Sequence, residues 1–472
     1  MRRFVNLLFS ILILTLGFCE ITACSSSDED EPGIKPQLVS STPANGATNV
    51  AVSTTTIELT YNCKVKWSSA ASFRLNDKPV NPLNLSLDGE KITIKNISLE
   101  QGMIYELIVS QEAVMSYDGN VPADEHRISF STVPKPDQVI STSLVTPSPS
   151  PEAVNVYNFL LENYRKNIIS ATMANVSWNI NEAEWVKQHT GKFPAMVTFD
   201  YGHLPASPAN WIDYSQTAVV ENWWGQKGLI SAGWHWIVPR YEGHADINKF
   251  TYKPEETTFR AVNALKDGTW ENKILKADLE KMAGYLFLLK NKNIPVIWRP
   301  LHEAAGNIYE YNNGTAWFWW GYDGAETYVQ LWRYMFDYFK AQGLNNLIWV
   351  WTTQTKDNAF YPGDAYVDIV GRDIYNNSTL TNLAAQFTSI QDAYPTKMVT
   401  LSECGNVAKM SAQWAAGAEW SFFMPWYDYK RTLNPGTADF ELTTHEHADK
   451  AWWVDAFAMD NVITLDEMPS LK

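Results

Sequence analysis

Apolar residues follow two different patterns along this chain, and the pattern changes near residue 134. Over residues 35–133, short stretches alternate apolar with polar side chains or carry β-branched residues, and turn signals such as Asp88-Gly89 separate them. These stretches are Gln37–Ser41, Thr55–Tyr61, Ser72–Leu75, Lys91–Ile97, Ile104–Ser110 and Arg127–Thr132. Several short strands at such spacing predict a small all-β, antiparallel sandwich.

Residues 152–472 instead alternate apolar runs with amphipathic stretches, such as Lys276–Lys290, where Leu279 and Met282 share one helical face. The apolar runs are Asn167–Ala174, Pro194–Tyr201, Leu229–Pro239, Ile294–Glu303, Leu347–Thr353, Val367–Tyr375, Met398–Gly405 and Trp420–Asp428. Eight strands separated by helices predict an α/β fold, a (β/α)8 TIM barrel. A doubly wound open sheet is the alternative, but it usually carries a glycine-rich phosphate turn, and none is visible.

Proline-rich segments lie between the two regions. Pro134-Lys135-Pro136 and Pro147-Ser148-Pro149-Ser150-Pro151 predict a stiff, extended linker over residues 134–151. The first region carries no cluster of His, Cys or carboxylate side chains, and its opening, Ser41–Val50, resembles bacterial Ig-like modules. We therefore expect an Ig-like spacer domain. A carbohydrate-binding role is the alternative, with Trp67 as its one tryptophan platform.

The first residues have the composition of an export signal. Arg2 and Arg3 precede an apolar run from Phe4 to Phe18 that is short for a membrane span. Ile21-Thr22-Ala23-Cys24 resembles the lipobox of bacterial lipoproteins, which implies lipidation of Cys24, and the acidic stretch that follows resembles the surface-export signal of Bacteroidetes lipoproteins. We expect a signal peptide over residues 1–23, a flexible tether over 24–34, and an outer-membrane lipoprotein at the cell surface. A periplasm-facing anchor and an ordinary cleaved signal are the alternatives.

Composition and charge narrow the classes of function. The chain has 37 Lys and Arg against 52 Asp and Glu, a net charge of −15 with no basic cluster, which argues against nucleic-acid binding. Its 21 Trp, 22 Tyr and 20 Phe suit both a large core and stacking on sugar rings. Cys19 and Cys24 lie in the signal region, and Cys63 and Cys404 are far apart, so we expect no disulfide framework and no zinc site.

Two glutamates lie at the ends of otherwise apolar runs. Glu303 closes the fourth run, and Glu403 lies near the end of the seventh. A carboxylate there is costly unless it is paired or used, and the active site of a barrel gathers where its strands end. A structural ion pair is the alternative for either residue alone. Two such residues in a Trp-rich chain predict a pair of catalytic carboxylates and glycoside hydrolysis.

The sequence around these glutamates resembles glycoside hydrolase family 26, best known for endo-β-1,4-mannanases. Trp298–Glu303 (WRPLHE) resembles the acid/base motif of that family, and Leu401-Ser402-Glu403 resembles its nucleophile strand. Gly371–Tyr375 matches the segment whose tyrosine touches the nucleophile. The resemblance spans about residues 152–453. It implies substrate contacts for His235, Trp298, Arg299, His302, Trp317, Asp373, Tyr375 and Trp426.

The resemblance also implies a retaining double displacement. Glu403 would attack the anomeric carbon as nucleophile, and Glu303 would protonate the leaving oxygen and then activate water. Such a pair needs carboxyl groups roughly 5–5.5 Å apart. We expect no cofactor and no metal, because no cofactor signature appears and this hydrolysis needs no metal.

The expected protein is a monomeric mannan endo-1,4-β-mannosidase acting on β-mannan, galactomannan or glucomannan. Two alternatives remain at this point. The same fold could act on xylan or mixed-linkage β-glucan, or the chain could be a non-catalytic, glycan-binding surface lipoprotein.

Overall fold

The computed structural model describes residues 33–68, 72–76, 78–134, 139–174, 178–202, 213–309, 314–431 and 433–472. The chain divides into two compact units, Met1–Asp137 and Gln138–Lys472. The predicted signal peptide and the lipidation site Cys24 lie outside the described residues. Within the described ranges, no helix combines the length and the apolar character that crossing a bilayer requires.

The first unit is an all-β domain. Its strands are β1 Leu38–Thr42, β2 Ala47–Val50, β3 Ile57–Tyr61, β4 Val65–Trp67, β5 Phe73–Leu75, β6 Lys78–Pro79, β7 Leu85–Asp88, β8 Lys91–Ile94, β9 Ile104–Val109, β10 Val114–Ser116 and β11 His126–Thr132. They form a sheet in the order β1-β3-β8-β7, a second in the order β2-β11-β9-β5-β6, and the pair β10-β4. Alternate residues of β3 are buried, which is the period expected of a strand with one face on a core.

Each of the six predicted strands of this unit is present. The prediction of purely antiparallel pairing is wrong at one place, because β2 pairs with β11 in parallel. The short strand β2 starts after the turn at Pro43–Gly46, whose residues signal a bend but not the direction in which the chain continues.

The second unit contains the parallel strands β12 Ile168–Met173, β13 Met196–Asp200, β14 Leu229–Trp234, β15 Val296–Pro300, β16 Leu347–Thr353, β17 Ile369–Tyr375, β18 Met398–Gly405 and β19 Phe422–Pro425. Each pairs in parallel with the next, and β19 pairs with β12, so the barrel closes. A short strand, β20 Val462–Ile463, adds to the start of β12. Each of the eight predicted apolar runs contains one barrel strand, and the predicted fold class is confirmed.

Helices surround this barrel. They are α1 Pro151–Asn163, α2 Asn181–Thr190, α3 Ala218–Gly225, α4 Ala261–Ala264, α5 Trp270–Lys290, α6 Trp319–Tyr322, α7 Ala325–Ala341, α8 Leu380–Ala393, α9 Met410–Ala415 and α10 Lys450–Phe457. The Thr269 hydroxyl caps α5 by accepting the Asn272 N–H at 3.0 Å. On α7, Leu331, Met335 and Phe339 recur at helical spacing, and all three are buried.

The segment before α1 differs from its prediction as an extended linker. The Val145 N–H donates to Asp368 Oδ1 at 2.7 Å, and the Ser150 N–H donates to the Asn345 carbonyl at 2.8 Å. The residues between the prolines still carry N–H donors, which find acceptors beside β16 and β17. Residues 139–150 of the predicted linker segment therefore belong to the barrel unit.

Candidate active site

A large cleft opens at the carboxyl ends of the barrel strands. Its volume is about 1150 Å³, above the roughly 300–1,000 Å³ of small-molecule pockets, and this size suits an extended ligand. Groups from strand ends and the loops that follow them line the cleft: His235 after β14, His302 and Glu303 after β15, Gln354 after β16, Tyr375 on β17, Glu403 on β18 and Trp426 after β19. The two glutamates, 100 positions apart in the sequence, therefore lie in one cleft.

Two neighbours hold the Glu403 carboxylate. The Tyr375 hydroxyl donates to Oε1 at 2.5 Å, and the Arg299 guanidinium forms an ion pair with Oε2. The residue is only 6% exposed. Charge-assisted hydrogen bonds of this kind fix the orientation of the Glu403 side chain.

An irregularity in β18 brings Glu403 to this position. Against β17, Arg372 pairs with Leu401 but Asp373 pairs with Glu403, so β18 has one extra residue there. Such a bulge lets the consecutive residues Ser402 and Glu403 both turn toward Asp373 and Arg299. The Ser402 hydroxyl donates to Asp373 Oδ1 at 2.6 Å, while Glu403 contacts Arg299.

Arg299 is the centre of a buried ionic network. Its guanidinium donates to Asp373 Oδ2 at 2.8 Å as well as to Glu403, and its side chain is 4% exposed. Burial alone would lower the pKa of Arg299, but Asp373 and Glu403 raise it above its usual value, so the guanidinium stays charged. Substrate contact was expected for Arg299 and Asp373. The two side chains bond each other, Arg299 also bonds Glu403, and Asp373 also accepts from Ser402 while lining the cleft. Their contact with substrate stays a prediction.

Glu303 lies in a strained turn just beyond β15. Leu301 has φ 46° and Glu303 has φ 50°, values in the left-handed region that cost a non-glycine residue about 1 kcal/mol or more. Hydrogen bonds fix the turn: the Tyr328 hydroxyl and the Trp320 indole N–H each donate to a carbonyl, of Leu301 and His302 respectively, at 2.9 Å. The strain is therefore held by the surrounding fold.

Gln354 orients the carboxyl group of Glu303. Its amide Nε2 donates to Glu303 Oε1 at 3.0 Å, and its Oε1 accepts from Arg372 at 3.2 Å. Burial, and then the charges of Asp373 and Glu403, raise the pKa of Glu303 well above its usual value. Gln354 is not among the site residues predicted from the sequence. Its position directly after the fifth strand was the available signal, because that is where barrel site residues lie.

Two histidines lie beside each other on the cleft wall. The rings of His235 and His302 have centroids 4.6 Å apart. Asp200 accepts from the His235 backbone N–H at 3.1 Å and pairs with its ring Nδ1, which assigns the ring proton to Nδ1. Burial, together with the charge of Arg299 and the neighbouring His235, holds the pKa of His302 well below its usual value. His302 is therefore neutral in the cleft.

The tryptophans predicted to contact substrate separate into two groups. Trp317 is 41% exposed and lines the cleft, and Trp426 lines it with only an edge exposed. Trp298 is fully buried and packs against Phe339 and Tyr201 outside the barrel wall. Successive side chains of a strand point to opposite faces. Because Arg299 points into the barrel, Trp298 points away from it, and its assignment as a substrate contact is wrong.

The residues of this site give no sign of a resident metal. Among the residues that the structure describes, no group of three or more His, Cys, Asp and Glu side chains is arranged to hold a metal ion. The site's acids are committed to arginine, tyrosine and amide partners, as described above.

Gly405, at the end of β18, is expected to be essential to this geometry. A Cβ there would lie 2.7 Å from the Tyr375 ring and 2.3 Å from His447 Nδ1. Gly405→Ala should displace Tyr375 from Glu403, and kcat/KM should fall by roughly 100-fold. Gly284→Ala is the matched control, because Gly284 lies in α5 with nothing within 4 Å of the added methyl. Equal activity of the two variants would contradict the assigned role of Tyr375.

A parallel barrel with two buried glutamates in one open cleft is the kind of site that glycoside hydrolases use. Residues 145–445 match the profile of glycosyl hydrolase family 26, and residues 33–132 match a bacterial Ig-like domain. The chain therefore belongs to glycosyl hydrolase family 26.

Two curated relatives come from Piromyces sp. Mannan endo-1,4-β-mannosidase B is 30% identical over 392 residues, which is 81% of this chain and 63% of that protein. Mannan endo-1,4-β-mannosidase A is 28% identical over 455 residues, 94% of this chain and 68% of that protein. The chain thus spans about two thirds of the length of these relatives.

Solved structures also resemble this chain. The family 26 domain of an endo-β-mannanase/endo-β-glucanase from Prevotella bryantii is 37% identical, with a TM-score of 0.63, and the match covers 70% of this chain and 99% of that one. A β-mannanase from a symbiotic protist of the termite Reticulitermes speratus, complexed with gluco-manno-oligosaccharide, is 35% identical with a TM-score of 0.58. That match covers 71% of this chain and 100% of the other.

Proposed function

We propose that the barrel unit is a retaining endo-β-1,4-mannanase that cleaves β-mannan, galactomannan or glucomannan. The observation that carries the proposal is the pairing of Glu303 and Glu403 in one cleft, with opposite electrostatic surroundings. Glu403 is held by the cationic Arg299 and the Tyr375 hydroxyl, whereas burial and the charges of Asp373 and Glu403 raise the pKa of Glu303. A mechanism with one nucleophile and one acid requires two carboxyl groups whose surroundings differ in this way, so that their pKa values differ.

In this mechanism Glu403 attacks the anomeric carbon while Glu303 donates its proton to the leaving glycosidic oxygen. The glycosidic bond breaks, and an ester to Glu403 forms. Esterification removes the negative charge of Glu403, which is one cause of the raised pKa of Glu303. Glu303 is then a better base, and it deprotonates the water that hydrolyses the ester.

The cleft also supports the choice of a polysaccharide substrate. Its volume of about 1150 Å³, with a lining that includes Tyr252, Trp317, Asn382 and Gln386, exceeds what one sugar ring needs. The mannanase names of the relatives, and the gluco-manno-oligosaccharide bound to one of the similar structures, favour β-mannans.

The full chain should convert mannohexaose and linear mannan to shorter oligosaccharides, with the β-anomer of the new reducing end formed first. Proton NMR during the first minutes measures that anomer, and chromatography gives the product lengths. Initial formation of the α-anomer would reject retention. Inertness on mannan with cleavage of xylan or mixed-linkage glucan would reject the substrate, and binding without cleavage would make the chain a glycan-binding protein.

We further propose that lipidation of Cys24 anchors the protein to the outer membrane. The support is the Ile21–Cys24 motif directly after the apolar run. In cells that express the full chain, Cys24→Ala should move the protein from the membrane fraction to the soluble fraction and abolish incorporation of labelled palmitate. Cys63→Ala is the matched control and should change neither. Membrane association that persists in Cys24→Ala would reject the lipid anchor.

A further inference from the structure

His447 is a polar side chain in the cleft that has no role in the mechanism described above. It lines the cleft near Tyr375 and Tyr429, and only 8% of the residue is exposed. Both ring nitrogens are buried, and neither has a hydrogen-bond partner within the protein. Buried polar atoms in native proteins are nearly always paired, so two unpaired nitrogens on one ring in a ligand cleft point to a ligand.

The surroundings hold this ring in place. The His447 carbonyl accepts the Asn406 N–H at 2.8 Å, and the His447 N–H donates to His445 Nδ1 at 3.0 Å. His445 is itself fixed, because its Nε2 lies 2.9 Å from the Glu182 carboxylate. The imidazole is therefore presented to the cleft by a rigid backbone and is not a mobile surface group.

The chain also makes space for the ring. At Gly405 a Cβ would lie 2.3 Å from His447 Nδ1, so any larger residue would push the imidazole away. The rings of Tyr375 and Tyr429 pack edge-on against it, with centroids 5.4 and 5.2 Å away. These contacts fix the ring plane and place Nδ1 against Gly405, and neither ring nitrogen receives a hydrogen bond from the protein.

The chemistry of the ring selects the kind of partner. Burial, and then the neighbouring His445, lower the pKa of His447. A neutral imidazole has one N–H donor and one nitrogen acceptor. A sugar hydroxyl can both donate and accept, so it can bond either kind of imidazole nitrogen, whereas a carboxylate or an ammonium group can bond only one kind.

The position of the ring selects which sugar it meets. His447 packs on Tyr375, whose hydroxyl bonds Glu403, the carboxylate that joins the anomeric carbon. Glu303, which serves the leaving oxygen, is held instead by Gln354 and the turn after β15. Groups around Glu403 therefore face the sugars that become attached to it.

We propose that His447 hydrogen-bonds hydroxyl groups of the sugar chain on the non-reducing side of the bond that is cleaved. The proposal rests on the proposed function and adds a binding residue to it. His447 acts on substrate affinity and orientation and takes no part in proton transfer.

Two substrates locate the contact. Mannopentaose occupies both sides of the scissile bond, whereas 4-nitrophenyl β-mannotrioside places its mannosyl units on the non-reducing side only. His447→Ala should lower kcat/KM by roughly tenfold on both. His447→Gln, which keeps a donor and an acceptor, should recover part of the loss. His189→Ala is the matched control, because that imidazole lies on α2 and bonds the Phe440 carbonyl, and its kinetics should match the wild type.

Each other outcome overturns the proposal. A loss on mannopentaose alone places the contact on the leaving-group side. Unchanged kinetics show that there is no contact. Equal losses in the Ala and Gln variants, with a lowered midpoint of thermal unfolding, show a structural role.

A binding measurement separates this proposal from the function it rests on. If the wild type cleaves neither substrate, the proposed function fails, and calorimetry with mannohexaose on wild type and His447→Ala still tests the contact. If the wild type is active, the same comparison is made in the Glu403→Gln background. The His447→Ala change should weaken mannohexaose binding in either case, and unchanged affinity would reject the contact.

Discussion

Replacing Glu403 is expected to abolish hydrolysis of mannan. Without this carboxylate no covalent sugar intermediate can form, and kcat should fall by roughly 10⁴-fold or more. Glu403→Gln keeps the shape of the side chain and one oxygen that can accept from Arg299, while its amide N–H can donate to the Tyr375 oxygen, so it should lose less stability than Glu403→Ala. Glu403→Ala leaves the buried guanidinium with Asp373 as its carboxylate partner and should be less stable, because guanidinium N–H donors that bonded Glu403 lose their acceptor.

Reaction with azide tests the assignment of Glu403 as the nucleophile. In Glu403→Ala, azide can enter the vacated space and displace an activated leaving group once, which yields the α-glycosyl azide. In Glu303→Ala, the ester to Glu403 still forms from the same substrate, and azide then displaces it to give the β-azide. Glu280→Ala, which removes an exposed carboxylate from α5, is the control and should retain activity. A β-azide from Glu403→Ala would reverse the assignment.

The sequence was sufficient for the architecture because burial on both faces makes each barrel strand a continuous apolar run. The eight runs and the helices between them therefore predict the barrel and place Glu303 and Glu403 near strand ends. The same property hides the direction of each side chain. In Trp298-Arg299-Pro300, apolar and aromatic residues suit either face, and only the contact of Arg299 with Glu403 shows which residue points inward.

The finer geometry of the site depends on features that have no sequence signal. The bulge at Ser402 changes which residues of β18 face β17, and its existence depends on the pairing of two strands. The left-handed backbone at Glu303 is held by Tyr328 and Trp320, which come from helices later in the chain. Partners that are distant in the sequence also explain why His447 was not predicted from the sequence.

Replacing Glu303 with glutamine should separate substrates by their leaving groups. The amide cannot donate a proton, so kcat on mannohexaose should fall by roughly 100- to 10,000-fold. The dinitrophenolate group of a dinitrophenyl β-mannoside leaves without protonation, so formation of the ester should remain fast. A burst of dinitrophenolate should therefore precede slow turnover. Stopped-flow absorbance measures the burst. Equal losses on both substrates would contradict the acid/base role.

The pH dependence of activity follows from the carboxyl group of Glu303. As an acid, Glu303 must be protonated, so wild-type kcat/KM on mannohexaose should fall as the pH rises through the raised pKa of Glu303. On the activated substrate, the rate of ester formation should not show this fall with rising pH. In Glu403→Gln one cause of the raised pKa is gone, so titration of Glu303, followed by carboxyl infrared absorbance, should move to lower pH.

Glu303→Gln should raise the stability of the folded chain although it lowers activity. A carboxyl group whose pKa is higher in the folded chain than in the unfolded chain, where it is about 4.3, binds its proton more tightly when folded. Its contribution to stability is complete below the unfolded pKa and is lost as the pH rises toward the folded one. Glu303→Gln removes this loss and keeps the acceptor for Gln354. The variant should be more stable than the wild type by about 1 kcal/mol near neutral pH, measured by denaturant unfolding, and the difference should shrink at acid pH. A destabilised Glu303→Gln would mean that the charged carboxylate, and not the protonated acid, is the form that this cleft stabilises.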